Sequence, residues 1–177
     1  PKPSSAASDV YKRQAGGGGR GMRVVRNENE LLDGLAITMK EALNAFGSDV
    51  VYLEKYIENP RHIEVQVVGD GKGNAIHLGT RDCSIQRRNQ KIIEEAPATG
   101  LNEKELEQVL SSCINLCEKL SYEGAGTIEF LYKDGKFFFI EMNARIQVEH
   151  PVTEMISMFD IVKAPVSYTH LTLPTKA

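Results

Sequence analysis

Residues 126–143, GTIEFLYKDGKFFFIEMN, constrain the fold most, because they predict a β-hairpin whose register decides where two glutamates point. Asp134-Gly135 is a turn dipeptide between two apolar runs. A plain two-residue turn would put Glu129 and Glu141 on opposite faces, since side chains alternate along a strand. A three-residue loop or one β-bulge would instead set Glu129 opposite Glu141, and Thr127 opposite Asn143.

The second register predicts a metal site. Two carboxylates that face each other across a strand pair repel and destabilise a sheet, unless a cation lies between them. Two carboxylates and an amide suit Mg²⁺ or Mn²⁺ shared with phosphate. We therefore hypothesise that Glu129, Glu141 and Asn143 hold a divalent cation on a nucleotide, the alternative being two glutamates on a solvated sheet face. In an extended strand, Phe137, Phe139, Glu141, Asn143 and Arg145 are expected to share one face.

The rest of the chain predicts an α+β fold with mainly antiparallel sheets. A helix is expected after Asn27, which has a capping-box partner at Glu30, and a strand over 50–58. Residues 62–81 alternate around a glycine-rich turn and predict a second hairpin. A further helix is expected after Asn102. Neighbouring strands form hairpins without a βαβ rhythm, which favours antiparallel pairing.

Composition excludes several classes of partner. The net charge of −3 gives no general attraction to nucleic acid or to anionic membrane. The three cysteines match no zinc-binding spacing and indicate a reducing, cytosolic-type compartment. Cys113 and Cys117 lie four residues apart on a predicted helix and are expected to be small residues of the protein core. A basic cluster is expected from Arg81, Arg87, Arg88 and Lys91. Acidic residues follow it directly, so we do not predict a nucleic-acid site.

The two ends do not continue the patterns of the chain between them. Residues 1–14, PKPSSAASDVYKRQ, and 165–177, PVSYTHLTLPTKA, resemble translated sequencing-adapter ends. We expect both to be non-native tails, and the natural segment to span about 15–164.

Five motifs carry a resemblance to a known family: AGGGGRGM, EKYIENPRHIEVQV, QRRNQKIIEEAP, GTIEF and FIEMNARIQVEHPVTE. Together they resemble biotin carboxylase, the ATP-grasp component of acetyl-, propionyl- and pyruvate-type biotin-dependent carboxylases. The resemblance implies an ATP-grasp fold, with part of a small lid over 15–55 and the first part of a larger antiparallel core over 56–164.

The resemblance also implies a nucleotide site for ATP. In the family the glycine loop covers the phosphates, the segment after it contacts adenine, and carboxylates hold Mg²⁺ or Mn²⁺. Asn89 departs from the pattern, because some members carry histidine there. The residues implied to bind the nucleotide and its metal are Lys12, Gly18, Gly19, Glu54, Lys55, Tyr56, Ile57, His62, Gln86, Asn89, Glu129 and Glu141.

The catalytic roles implied by the resemblance fall on Lys91 and on residues 145–149. Lys91 resembles the lysine that binds bicarbonate or the transferring phosphoryl group. Arg145 would hold bicarbonate and later the biotin enolate, and the backbone of Gln147 and Val148 would fix bicarbonate. Glu149 resembles the base that deprotonates bicarbonate before carboxyphosphate forms.

The implied partners are biotin on a carboxyl carrier protein or domain, a carboxyltransferase, bicarbonate and, in the intact parent, a second copy. No membrane or nucleic-acid partner is expected, and the cytoplasm is the expected compartment, or the mitochondrial matrix in a eukaryote. We expect the chain to be an internal fragment, inactive and marginally stable by itself. Two alternatives stay open: another ATP-grasp ligase that forms an acyl phosphate, and a non-catalytic remnant that binds nucleotide.

Overall fold

The computed structural model describes residues 23–164, which form two compact units. One unit contains 23–58 and 87–90, and the other contains 59–86 and 91–164. Lys12, Gly18 and Gly19 lie outside the described residues. None of the helices in the described part of the chain is long and apolar enough to cross a membrane.

The first unit is built on helix α1, Glu28–Phe46. The Asn27 side chain accepts a hydrogen bond from the Glu30 backbone N–H, as the sequence predicts, and Gly47 ends the helix in the left-handed conformation. The strand predicted over 50–58 is wrong, because these residues have no regular secondary structure. A strand needs a hydrogen-bonded neighbour, and the described part of this unit contains no second extended segment that pairs with 50–58.

The second unit is a five-stranded sheet with two helices, which confirms the α+β class. The strand order is β3-β2-β1-β4-β5, and β1 pairs antiparallel with both β2 and β4, as does β4 with β5. In chain order the elements are β1 Arg61–Asp70, β2 Ala75–Arg87, β3 Gln90–Glu95, α2 Glu103–Lys119, β4 Glu123–Lys133, β5 Lys136–Asn143 and α3 His150–Ser157.

One face of the sheet packs on α2 and forms the apolar core. Cys113 and Cys117 of α2 are buried against Val65, Ile128 and other strand residues, as predicted for small core cysteines. The Asn102 side chain accepts from the Glu105 N–H at the start of this helix, which confirms the predicted cap. The apolar core therefore occupies a single face, and the other face is left for polar side chains.

The β4–β5 hairpin adopts the register that sets the glutamates opposite each other. The turn at Asp134-Gly135 is a plain two-residue one, with Lys133 paired to Lys136. The pairing shifts farther along, where Phe130 faces Phe139 but Glu129 faces Glu141, so Ile140 is an extra bulge residue. The predicted shared face is therefore wrong in one respect. Phe139 packs with Phe130 on the core side, with ring centroids 6.1 Å apart, whereas Glu141 lies on the opposite face.

Strands β2 and β3 form a further hairpin that the sequence did not predict. Its turn contains Arg88 and Asn89, both with positive φ, at 53° and 62°. Two consecutive residues with positive φ are typical of the tight hairpin turn that matches strand twist. The turn residues are polar and not glycine, so the stretch lacked the usual turn signal.

A close approach of two backbone segments requires glycine at position 69. An added Cβ would lie 2.1 Å from the carbonyl oxygen of Tyr122, so the backbone would have to move. We expect Gly69→Ala to lower the free energy of unfolding by about 1–3 kcal/mol, as overpacking typically does. Urea denaturation of the whole protein measures this, with Lys72→Ala in the exposed turn as control. A midpoint equal to that of the control would show that the backbones are not tightly packed here.

Candidate functional site

The face of the sheet opposite α2 carries a continuous set of polar side chains. Alternation places Glu64 of β1 on this face, and the register sets Glu129 of β4 beside it and Glu141 of β5 beside Glu129. Arg81 of β2 pairs with Glu64 on its other side. Glu64 and Arg81 are fully buried, and Glu129 nearly so. The site is therefore a buried row of charges that crosses four strands.

Lys91 of β3 neutralises the carboxylates at the centre of this row. Its ammonium nitrogen lies 2.7 Å from Glu149 and 3.0 Å from Glu129, and it also contacts Glu64. Burial alone would lower the pKa of Lys91, but the carboxylates, Glu64 first, outweigh burial and raise it above its ordinary value. Lys91 therefore remains an ammonium ion within a cage of three carboxylates.

Glu64 and Glu129 stay ionised although both are buried. Burial would raise the pKa of Glu64, but His62, Arg81 and Lys91 hold it at about 2. The pKa of Glu129 is lowered too, because His62 and Lys91 outweigh its burial and the charge of Glu64. A neutral carboxylic acid is not expected at either position near neutral pH.

His62 is the second cation of this cluster. Its Nε2 lies 2.9 Å from Glu129 and 3.4 Å from Glu64, within ion-pair distance but without an aligned hydrogen bond. Burial would lower the pKa of His62, but the two carboxylates raise it to about 9. The imidazole is therefore protonated at neutral pH, and the sequence, which predicts only a nucleotide contact here, does not indicate this charge.

The predicted metal residues lie together at the β5 end of the row. The Asn143 amide nitrogen lies 2.9 Å from Glu129 and 3.4 Å from Glu141. The two facing carboxylates supply oxygen ligands of the kind that Mg²⁺ prefers. The Asn143 amide oxygen accepts from Arg145 instead, and would join them as a third oxygen ligand only if the amide turned over. These residues therefore fit a divalent cation. The nearby set His62, Glu64 and Glu129 also brings its ligand atoms within 4.8 Å of one another, but the protonated imidazole of His62 has no free nitrogen for a metal.

The segment 145–149 follows β5 and returns to the same cluster. Arg145 is exposed, with its guanidinium 3.4 Å from the Asn143 amide oxygen. Gln147 is buried and donates to Glu129 at 2.7 Å. The Val148 side chain is 91% exposed, whereas Glu149 is buried on Lys91. The structure thus gathers Lys91, Gln147 and Glu149 around Glu129, with Arg145 at the exposed margin.

The remaining sequence-predicted residues lie near the β2–β3 turn and in the first unit. Gln86 donates its side-chain amide to the Cys83 carbonyl of its own strand at 2.9 Å, and Asn89 lies in the β2–β3 turn. Glu54, Lys55, Tyr56 and Ile57 belong to the irregular end of the first unit. There the Arg26 guanidinium lies 5.9 Å from the centre of the Tyr56 ring, an arrangement that suits a cation–π contact.

The basic cluster predicted from the sequence does not form. Arg87 and Arg88 are exposed at the β2–β3 turn, whereas Arg81 is wholly buried beside Glu64 and Lys91 lies among carboxylates. These residues differ because Arg81 lies in the paired part of β2, opposite Glu64, whereas Arg87 is the last residue of that strand and is exposed.

Sequence reasoning missed a set of buried polar residues that complete the cluster. They alternate with apolar residues, a pattern that usually indicates a solvated face, and only their pairing across strands reveals a common site. The clearest signal was a glutamate at the same face of both β1 and β4. The missed residues are Glu64, Gln66, Thr127 and Thr153, all buried.

A family model, curated relatives and solved structures all match this chain along most of its length. The family described as carbamoyl-phosphate synthase L chain, ATP binding domain, matches residues 10–169. The biotin carboxylase of Pseudomonas aeruginosa is 60% identical over 154 residues, which cover 87% of this chain and 34% of that protein. The chain therefore spans about a third of the length of the curated relatives it matches.

Two solved structures share the fold closely. A biotin carboxylase from Campylobacter jejuni, solved as a complex with β,γ-ATP, has a TM-score of 0.82 and 52% identity, over 90% of this chain and 36% of that one. The biotin carboxylase domain dimer of the Hydrogenobacter thermophilus 2-oxoglutarate carboxylase, solved with MgADP, ADP and bicarbonate, has a TM-score of 0.82 and 48% identity. That match covers 97% of this chain and 40% of the other.

Proposed function

The chain belongs to the family of the carbamoyl-phosphate synthase L chain ATP-binding domain, as a biotin carboxylase ATP-grasp segment, and from this we propose that the whole protein carboxylates biotin with ATP and bicarbonate. The observation that carries the proposal is the ion pair between Lys91 and Glu149, 2.7 Å long, beside the facing glutamates 129 and 141. This arrangement places a base, a cation and a group of oxygen ligands suited to a metal on one face of the sheet.

Glu149 acts as the base in this proposal. Its carboxylate accepts the proton of bicarbonate, whose oxygen then bonds to the γ-phosphorus of ATP while the bond to the bridging oxygen breaks and ADP leaves. The product, carboxyphosphate, releases CO₂ and phosphate. The phosphate accepts the proton from biotin N1, and N1 bonds to CO₂. Glu149 passes the proton that it took from bicarbonate to solvent before the next turnover, so no further reactant is needed.

Lys91 and Arg145 supply positive charge at the two ends of this reaction. The ammonium of Lys91 stabilises the oxygens of the transferring phosphoryl group. Arg145 has an exposed guanidinium whose contacts to Asn143 and to the Ile146 carbonyl are both 3.4 Å, so a bound anion can compete for its donors. We assign it to bicarbonate and then to the biotin enolate, with the backbone of Gln147 and Val148 beside it.

Glu129, Glu141 and Asn143 would hold Mg²⁺, or Mn²⁺ in its place. The cation would neutralise phosphate charge as it is transferred. His62, Gln86 and Asn89 are proposed to contact the nucleotide, and Glu54 to Ile57, in the first unit, to contact the adenine. We further propose a biotin carrier protein or domain and a carboxyltransferase as partners, a homodimer as the assembly, and the cytoplasm or mitochondrial matrix as the compartment.

Bicarbonate dependence of ATP hydrolysis tests the proposed function. We expect the whole protein to hydrolyse ATP only with bicarbonate present, to turn over faster with free biotin, and to transfer label from bicarbonate to biotin. Hydrolysis that responds to a different carboxylic acid would assign the protein to another ligase that forms an acyl phosphate. Nucleotide binding without any hydrolysis would instead support the alternative of a non-catalytic protein that binds nucleotide.

Replacement of a proposed metal ligand should separate metal binding from folding. We expect Glu141→Gln to weaken Mg²⁺ binding to the nucleotide complex by at least about tenfold. Loss of a residue that only orients a metal ligand already weakens metal binding by about tenfold to a hundredfold, and a direct ligand should matter at least as much. The measurement is the Mg²⁺ concentration needed for ATP to protect the whole protein from thermal unfolding. Glu123→Gln, at the exposed start of β4, is the matched control. An unchanged Mg²⁺ requirement would remove Glu141 from the metal set.

A further inference from the structure

Arg81 is fully buried, and its guanidinium reaches five side chains. The contacts span 2.7–3.4 Å and join β1, β4, the segment after β5, and α3. The acceptors are Glu64 for Nε and Nη2, Gln66 and Thr153 for Nη1, and Thr127 and Gln147 also for Nη2. A guanidinium has five N–H donors in a rigid planar fork, so these contacts occupy all of them.

Thr153 is the residue of α3 that this fork reaches. Its hydroxyl oxygen accepts from Arg81 Nη1 at 2.9 Å, and the side chain is 1% exposed. Among the described residues, this is the one side-chain hydrogen bond from α3 to the sheet. Thr153 lies one helical turn after Glu149, the N-cap residue of α3, so both lie on the same side of the helix.

Glu149 does not cap the helix with its own side chain, so its carboxylate is available to Lys91 at 2.7 Å. The position of that carboxylate therefore depends on where the first turn of α3 is held. Arg81 also contacts Gln147, whose amide donates to Glu129 at 2.7 Å. The same guanidinium thus fixes the chain on both sides of Val148.

We propose that Arg81 and Thr153 are positioning residues, which lock the first turn of α3 to the sheet and so hold Glu149 against Lys91. The inference rests on the proposed function, because it gives that function's base its geometry. Neither side chain is assigned a contact with substrate. Thr153 acts through Arg81, and Arg81 acts through the backbone of residues 147–153.

Thr153→Val tests the inference, because valine keeps the shape of threonine and removes the acceptor. We expect kcat for bicarbonate-dependent ATP hydrolysis by the whole protein to fall by about tenfold to a hundredfold, the cost typical of a displaced catalytic group. The KM for ATP should stay within about twofold, since the nucleotide residues are untouched. Thr153→Ser keeps the hydroxyl and should restore kcat to within a few-fold of wild type.

Ser157→Ala is the matched control on the same helix. The Ser157 hydroxyl donates to the Thr153 carbonyl and accepts from the Phe159 N–H, and neither bond reaches the sheet, so kcat should not change. Equal losses in Thr153→Val, Thr153→Ser and Ser157→Ala would overturn the inference, because any disturbance of α3 would then suffice. A rise in the KM for ATP as large as the fall in kcat would also overturn it.

Amide hydrogen exchange tests the same lock without any activity. In Thr153→Val we expect the amides of residues 154–156, which bond to the carbonyls of the first turn of α3, to exchange about tenfold faster than in wild type, while α2 exchanges at an unchanged rate. Equal acceleration in α2, or none at 154–156, would contradict the lock. An inactive wild-type protein whose exchange still shows this local change would refute the proposed function but support the lock.

Discussion

Replacement of Glu149 by glutamine is expected to lower kcat for biotin carboxylation by the whole protein by about 10²–10⁴-fold, the contribution typical of a general acid–base group. Glutamine keeps the size of the side chain but cannot accept the bicarbonate proton. It also removes one of the three carboxylates around Lys91. Because Glu64 and Glu129 still hold the ammonium, we expect the fold to tolerate the change.

The matched measurement is ATP affinity, which should stay within about threefold if Glu149 acts on bicarbonate and not on the nucleotide. Glu107→Gln on the outside of α2, the helix on the other face of the sheet, is the control and should leave both quantities unchanged. If Glu149→Gln retains more than about a tenth of wild-type kcat, the base is another group, and Glu64 is the next carboxylate on Lys91.

The β4–β5 hairpin, with the register that sets its two glutamates opposite each other, could be predicted from the sequence because its signals are local. Asp134-Gly135 is a strong turn signal, and one bulge, at Ile140, is enough to set Glu129 opposite Glu141. The caps at Asn27 and Asn102 are equally local, since each side chain bonds a backbone N–H three residues on. Turns and helix caps of this kind form from neighbouring residues and do not depend on how helices and strands pack in the folded protein.

The buried polar face could not be predicted because its burial depends on distant segments. Glu64 and Gln66 alternate with valines and look like the wet side of a strand. They are buried because Arg81 arrives from β2 and donates to both of them. Thr153 and Gln147, from later in the chain, accept further hydrogen bonds from the same guanidinium. The predicted strand over 50–58 failed for the opposite reason, since apolar residues alone do not provide a pairing partner.

The same distant contacts make Arg81 the residue whose loss should most damage the fold. We expect Arg81→Met to lower the free energy of unfolding by about 3–5 kcal/mol, the cost of removing one partner of a buried ion pair, although Lys91 and His62 still face Glu64. Glu64 has no exposed surface, and two donors of Arg81 reach its Oε2 at 2.9 and 3.0 Å. Denaturation of the whole protein by urea measures the loss, and Arg87→Met, at an exposed arginine of the same strand, is the control.

A double variant distinguishes an unpaired charge from lost packing. If the cost arises from Glu64 left ionised and buried, then Arg81→Met with Glu64→Gln should be at least about 1 kcal/mol more stable than Arg81→Met alone, because the carboxylate is gone. Strictly additive losses would show that Arg81 stabilises the sheet through Gln66, Thr127 and Thr153 and not through the ion pair. The outcome distinguishes two ways in which a sheet with buried acidic and basic groups at its centre stays folded. Either charges pair across the strands, or a single guanidinium satisfies the amides and hydroxyls around it.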